Sequence, residues 1–293
     1  MNLPDLRILP LEYLVPHEKT DPRRVNPLTE RLKSESVLVN PPIVAPFGRN
    51  DPRFVVLDGA NRTSAFRALE VPHIVAQVVN YSQVQLNTWH HIITSCDFET
   101  LMEQLHTIQG MKLSEDDLMS ARARLARREA IAYISYGDAV NDVTHAFDHD
   151  SDHDIRQLSP AIVLCCADST GQRTELLNQL VELYEGCSKV QRTTSDNIAD
   201  ARQSYPDASA LVVFPRYEPA EILDIARRGQ HVPAGITRHV LPVRALRLNY
   251  PMDILRSDEP LARKQGHLTE WIYERVQSRR VRTYSEPTVM FDE

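Results

Sequence analysis

The chain has 293 residues, 42% hydrophobic and 25% charged, which is enough apolar material for one large domain or two ordinary ones without disulfide or metal staples. It holds no apolar run of about eighteen residues, which excludes a helical membrane span, and its opening MNLPDLRILPLEYLVPHE lacks the basic start and continuous apolar core of a signal peptide. A net charge of -7 disfavours broad nonspecific contact with nucleic acid, and Cys96, Cys165, Cys166 and Cys187 show no metal-ligand spacing, so a reducing, cytoplasmic setting is expected.

From Leu6 to Tyr81 short apolar runs alternate with turn signals. Strands are predicted over Arg7–Leu11, Pro42–Pro46, Phe54–Leu57 and Ile74–Tyr81, and helices over Pro27–Lys33 and Thr63–Leu69, making a compact α/β unit. From Val84 to Phe147 the pattern reads as helical, with Leu101, Leu105 and Ile108 on one face and Trp89-His90-His91 at a helix start. The stretch from His145 to Pro160 has no apolar period and reads as an exposed connector. Beyond it, strands over Ala161–Cys166 and Ala210–Phe214 alternate with helices over Gln172–Tyr184 and Pro219–Arg228, which predicts a second, smaller α/β layer structure. Residues 231–249 read as strand, turn, strand, and the rest as a polar helix and tail. The expected segments are therefore 1–83, 84–147, a linker at 148–158, 159–250 and 251–293.

Five places carry candidate chemistry. The run FVVLDGANRTSAFR passes from a buried strand through Asp58-Gly59 into a helix opened by Ala60, Asn61, Arg62 and Thr63. Such a junction is either a plain turn or an anion cradle, because a helix N-terminus presents unpaired N–H donors and partial positive charge, to which Arg62 adds a full one. Glu18, in the loop Pro16-His17-Glu18, is either a solvated carboxylate or a positioned base or metal ligand. Gly235-Ile236-Thr237-Arg238-His239 offers a hydroxyl, a fixed cation and an imidazole in succession, as an anion grip or as a polar strand edge. Asn40 caps a turn or donates to a ligand, and Trp89 fills space or stacks on one. His90 and His91 would diverge on a helix and so not share a metal, while His145, His149 and His153, spaced by four, lie in an acid-rich stretch that reads as solvated linker.

Taken in order, PHE in an early loop, NPPIV, DGANRTSAFRAL, the Trp-His-His triplet and AGITRH resemble the ParB/sulfiredoxin-like superfamily, and within it the free L-serine kinases, including the siderophore-precursor branch. The fold resemblance covers residues 6–81, and the kinase-like features extend it to Asn249. It implies a ParB/sulfiredoxin-like N-terminal domain in an α/β protein, and transfer of a phosphoryl group from ATP, or ADP, with Mg2+ to the hydroxyl of free L-serine, yielding O-phospho-L-serine. It further implies that Glu18 is the base, and that Asp58, Gly59, Ala60, Asn61, Arg62 and Thr63 hold the nucleotide, with Asp58 also catalytic and on the metal. Asn40, Trp89, Thr237, Arg238 and His239 would hold the amino acid. Ala60 and Asn61 stand where the usual motif has paired histidines, so any imidazole contact to phosphate at those positions is lost. The alternative within the superfamily is a nucleotide-binding regulator that contacts DNA, for which RARLARR is the basic cluster; a sulfiredoxin-like activity would need a cysteine beside the phosphate motif, and none lies there.

Overall fold

The computed structural model describes residues 3–96, 98–137, 161–167 and 172–284. The chain divides into two compact units, one drawn from residues 1–15, 21–80 and 243–293, the other from residues 16–20 and 81–242. These bounds differ from the predicted segments at both ends, since the 16–20 loop belongs with the second unit and the chain from Val243 onward with the first.

The first unit is built on a five-stranded sheet in the order Asp5–Pro10, His73–Val78, Ile43–Gly48, Asp51–Asp58, Leu14–Pro16. Val55, Val56 and Leu57 are all buried, as the apolar run required. The helix predicted from Pro27 runs Pro22–Ser34, because Asp21 accepts from the Arg23 N–H and Pro22 opens the first turn; Pro27 lies inside the helix instead of starting it. The segment read as a polar helix and tail closes this core. Met252, Leu255 and Leu268 are fully buried, and Trp271 and Ile272 of the helix Leu261–Gln277 pack beside them. Leu268, Trp271 and Ile272 form a narrow i, i+3, i+4 stripe that the surrounding charges concealed. Lys264 on the same helix is also buried, its ammonium donating to the carbonyls of Leu255 (2.9 Å) and Ser257 (2.6 Å).

The second unit contains a six-stranded sheet in the order Lys189–Thr193, His90–Thr94, Ala208–Val213, Ala132–Tyr136, Ala161–Ala167, Met111–Asp116, antiparallel in its paired registers. Strand alternation divides its core by face. Ile93, Ile134 and Val212 pack toward the helices Phe98–Leu105 and Arg173–Cys187, while Ile92, Tyr133, Leu211 and Val213 pack toward Leu118–Ala126 and Ile198–Ser204. The helical reading of residues 84–147 is thereby corrected, because Gln85–Thr88, His90–Thr94, Met111–Asp116 and Ala132–Tyr136 are strands. His90–Thr94 is buried at every position, and a run apolar on both faces carries no period by which strand and helix differ. Trp89 accordingly joins two strands and starts no helix. Within that segment the helical reading holds for Phe98–Leu105 and Leu118–Ala126, while residues 138–147, the linker at 148–158 and with them His145, His149 and His153 lie outside the described residues.

His90 and His91 point to opposite faces and both are buried. Burial lowers their pKa values to about 4 and about 3. Both rings are neutral in the folded protein at pH 7, whereas in the unfolded chain they titrate near the ordinary histidine value. Stability is therefore complete above about pH 6.5 and is lost as the pH falls toward 4, each ring contributing about 1.4 kcal/mol per pH unit. Urea unfolding midpoints should fall across that interval, and His91→Phe should flatten the slope; equal slopes would contradict the assignment. Among the described residues no helix is long and apolar enough to cross a membrane.

Candidate active site

In the second unit, the loop bearing Glu18 is fixed by backbone pairing: Lys19 N–H donates to the Val232 carbonyl (2.8 Å) and Val232 N–H to that of His17 (2.9 Å). This pairing brings Glu18 to the turn before the strand Thr237–Val240. One carboxylate oxygen accepts from Gly235 N–H at 3.1 Å; the other accepts from Thr237 N–H at 3.2 Å and from the Thr237 hydroxyl. Gly235 has φ 72°, and a Cβ there would run into the Arg192 guanidinium, so the turn requires glycine. The two stretches singled out from sequence, PHE and GITRH, thus form one constellation.

Proton accounting fixes its neighbours. The Thr237 hydroxyl has a single proton, and donating it to Glu18 leaves its oxygen to accept from His17 Nε2 at 2.8 Å, so that nitrogen carries a proton. His17 is 2% exposed and meets the His239 ring edge-on at 5.3 Å. His239 Nε2 lies 2.9 Å from the Tyr81 hydroxyl, whose pKa is raised by burial and by the charge of Glu18, so the phenol stays protonated. His17 and Tyr81 were not singled out in the sequence; His17 adjoins Glu18 in PHE, and Tyr81 closes a predicted strand.

Thr237 and His239 face Glu18 and its partners. Arg238, between them on a strand, turns the other way and stacks on Trp89, its guanidinium 4.5 Å from the ring centroid. The sequence placed all four together; strand alternation separates Arg238 and Trp89 from the Glu18 face.

In the first unit, the strand Asp51–Asp58 ends in Gly59, which caps the helix Ala60–Ala68 with φ 90°. A Cβ at Gly59 would sit 2.9 Å from that of Pro42. The Gly59 carbonyl accepts both the N–H and the hydroxyl of Thr63, at 2.9 and 3.0 Å, so Thr63 holds the turn from within. Ala60, Asn61 and Arg62 supply the first-turn N–H groups that precede the helical hydrogen-bond ladder. Asn61 Oδ1 accepts from Asp21 N–H at 3.3 Å, which ties the turn to the cap of the preceding helix.

Asp58 is exposed and ion-paired with Arg244, a residue that sequence reading placed only in a strand. Its placement depends on Gln77, 3% exposed, whose amide donates to the Val243 carbonyl (2.8 Å) and accepts from Ala245 N–H (2.8 Å). Asn40 Oδ1 accepts from Arg247 N–H in the same segment, at 2.9 Å. Among the described residues no three His, Cys, Asp or Glu side chains converge on a metal position. The arginines of RARLARR are paired: Arg122 with Asp196, Arg124 with Asp116, Arg127 with Glu129 and Arg128 with Glu221.

No family model matches the chain. It is similar to an ATP-dependent L-serine kinase, SbnI, of Staphylococcus aureus, 21% identical over 266 residues that make up 87% of this chain and 85% of the relative. An ATP-dependent L-serine kinase of Staphylothermus marinus is 24% identical over 85% of this chain and 90% of its own. Among solved structures, the C-terminally truncated S. aureus SbnI matches with a TM-score of 0.68 at 18% identity, covering 92% of this chain and 97% of that one. A free serine kinase in complex with AMP also matches at 0.68, with 16% identity, over 87% and 95% of the two chains.

The chain has the free serine kinase fold. Here that fold carries Glu18 and Thr237 in one unit and the Gly59 turn with Asp58 in the other. Two further free serine kinase structures have one glutamate replaced by Gln, with AMP bound, or by Ala, with ADP bound.

Proposed function

We propose that this protein is a kinase of free L-serine that transfers a phosphoryl group from ATP to the serine hydroxyl, giving O-phospho-L-serine. The observation that carries the reading is the Glu18 carboxylate, oriented by Gly235 N–H, Thr237 N–H and the Thr237 hydroxyl in a fold shared with free serine kinases. A carboxylate held this way is a positioned acceptor for the hydroxyl proton of an incoming alcohol. The relatives named as ATP-dependent L-serine kinases supply the donor and the acceptor.

The division of labour follows from the two units. The N–H groups of Ala60, Asn61 and Arg62, with the Arg62 guanidinium, neutralise the nucleotide phosphates, and Gly59 lets them approach the backbone. Asn61 contributes a neutral amide where the family has an imidazole, so the charge at this turn falls to Arg62. The amino acid is assigned to Asn40, Trp89, Thr237, Arg238 and His239; the geometry supports Thr237 and His239 most directly, because they share a face with Glu18. Along the chain, Glu18 precedes by three residues the Asp21 that Asn61 holds.

Mg2+ fits the donor set at Asp58. This ion is usually held by one or two carboxylates together with phosphate oxygens and water, and Asp58 is an exposed carboxylate at the phosphate turn, balanced by Arg244. When bound, the ion offsets charge on the transferring phosphoryl group. Arg244 holds the Asp58 carboxylate in place.

The test is direct: the purified protein is incubated with L-serine, Mg2+ and, in separate reactions, ATP, ADP or CTP, and O-phosphoserine is measured by mass spectrometry. ATP-dependent formation is expected. Absence of phosphoserine with every nucleotide would overturn the proposal.

A further inference from the structure

The second unit has a cleft of about 790 Å3, of whose lining the kinase reading uses only Arg238. It opens on the sheet face opposite to the one that packs against the helix Arg173–Cys187. On that helix side, His91 bonds the Tyr184 hydroxyl at 2.6 Å, and Val232 and Ile236, which flank the Glu18 turn, enter the same core. Its neighbour His90 lines the cleft, as do Tyr133, Leu125 and Val213 of the other core.

The cleft is rich in donors. His90 Nδ1 accepts from Phe214 N–H at 3.3 Å, so the neutral ring carries its proton on Nε2 as a donor. The Tyr133 side chain is completely buried, and its hydroxyl lies beside the Arg122–Asp196 pair without a hydrogen bond of good geometry. An unsatisfied buried hydroxyl is costly unless something joins it.

Charge points the same way. Arg122 is engaged by Asp196 through two bonds of 2.7 and 2.8 Å, and Arg128 by Glu221 through bonds of 3.0 and 2.6 Å. Arg216 and Arg238 also line the cleft, and neither has a carboxylate partner among the described residues. The two carboxylates that line it are both occupied, Asp196 by Arg122 and Glu218 by the first turn of the helix Pro219–Arg227. Arg238 is stacked on Trp89 and assigned to the amino acid, so what remains is the Arg216 guanidinium, a phenol and an imidazole N–H, all donors.

We propose that this cleft is a second binding site, taking a small molecule that bears carboxylate or phosphate groups, with Arg216 and Tyr133 as its anchors. The site is separate from the one at Glu18, and its occupancy can be read without turnover, independently of the kinase assignment.

Isothermal titration of the whole chain with malonate and with inorganic phosphate tests the proposal. One saturable site is expected for at least one of the two. Arg216→Ala should weaken it about tenfold and Tyr133→Phe, which removes only the hydroxyl, about threefold. Arg62→Ala should leave it intact, because that residue belongs to the Gly59 turn, and Arg216→Ala should leave the KM for serine unchanged. The proposal is overturned by no saturable binding of either anion, by undiminished binding in both cleft variants, or by loss in Arg62→Ala alone. A tenfold rise in serine KM with Arg216→Ala would equally overturn it, by putting the amino acid in this cleft.

Discussion

Glu18→Gln should lower kcat for phosphoserine formation by about 10²- to 10⁴-fold while nucleotide still binds, the range spanned by loss of a general base. The substitution keeps the length and shape of the side chain and removes its capacity to take a proton. It also has a local cost that must be separated from the catalytic one. The carboxylate accepts from three donors, two on one oxygen and one on the other. A glutamine that keeps its oxygen toward Thr237 turns its NH2 toward Gly235 N–H, so two donors face each other and the turn loosens. That loss, on the order of 1 kcal/mol, is measured by urea unfolding and is small beside the kinetic effect. Thr237→Val provides the complementary control, since it deletes the hydroxyl that bridges Glu18 and His17 but leaves the carboxylate in place. It should reduce kcat far less than Glu18→Gln. Near-normal phosphoserine production by Glu18→Gln would remove Glu18 from the role of base, whereas loss of nucleotide binding in the same variant would point to a collapsed site.

The elements that position these residues were legible in the sequence to different depths. The strand and helix around Asp58-Gly59 were readable because a short apolar run, an Asp-Gly pair and a helix-forming stretch are local signals, and the structure has each of them in order. The turn at Gly235 was readable for the same reason. What local signals could not show was that Glu18 and Gly235, more than two hundred positions apart, bond to each other, nor that Arg244 meets Asp58. The backbone pairing with Val232 carries no side-chain pattern, and the clamp by Gln77 uses a single amide. Strand alternation was the other gap. Reading Thr237, Arg238 and His239 as one grip ignores that neighbours on a strand face apart, a conclusion available only once the segment is known to be a strand. The same applies to His90 and His91, whose divergence was argued for a helix and holds, by a different geometry, on a strand.

Arg62→Ala is expected to be the second most damaging change, lowering kcat by about 10²- to 10³-fold with a weaker nucleotide affinity. Phosphoryl transfer needs charge neutralisation more than covalent help, and an arginine on the transferring group is worth about 10³- to 10⁵-fold where it has been measured. A smaller factor is expected for Arg62 because three N–H groups and the Mg2+ proposed at Asp58 would share the same charge. Arg67, farther along the same helix, makes the necessary comparison. Its guanidinium donates to the carbonyls of Leu11, at 3.1 Å, and of Leu14, and its pKa is lowered by burial, so it serves the fold. Arg67→Ala should therefore lower the unfolding free energy by about 1–3 kcal/mol and leave nucleotide affinity near normal. Arg62→Ala should do the reverse, with nucleotide affinity and kcat reduced far more than the unfolding free energy. Titration of the two variants with ATP and with ADP separates the cases, because the helix is common to both and only the position of the lost charge differs. Equal nucleotide affinity in Arg62→Ala and the unmodified protein would mean that the Gly59 turn is only a turn, and the nucleotide would then have to be sought elsewhere in the molecule.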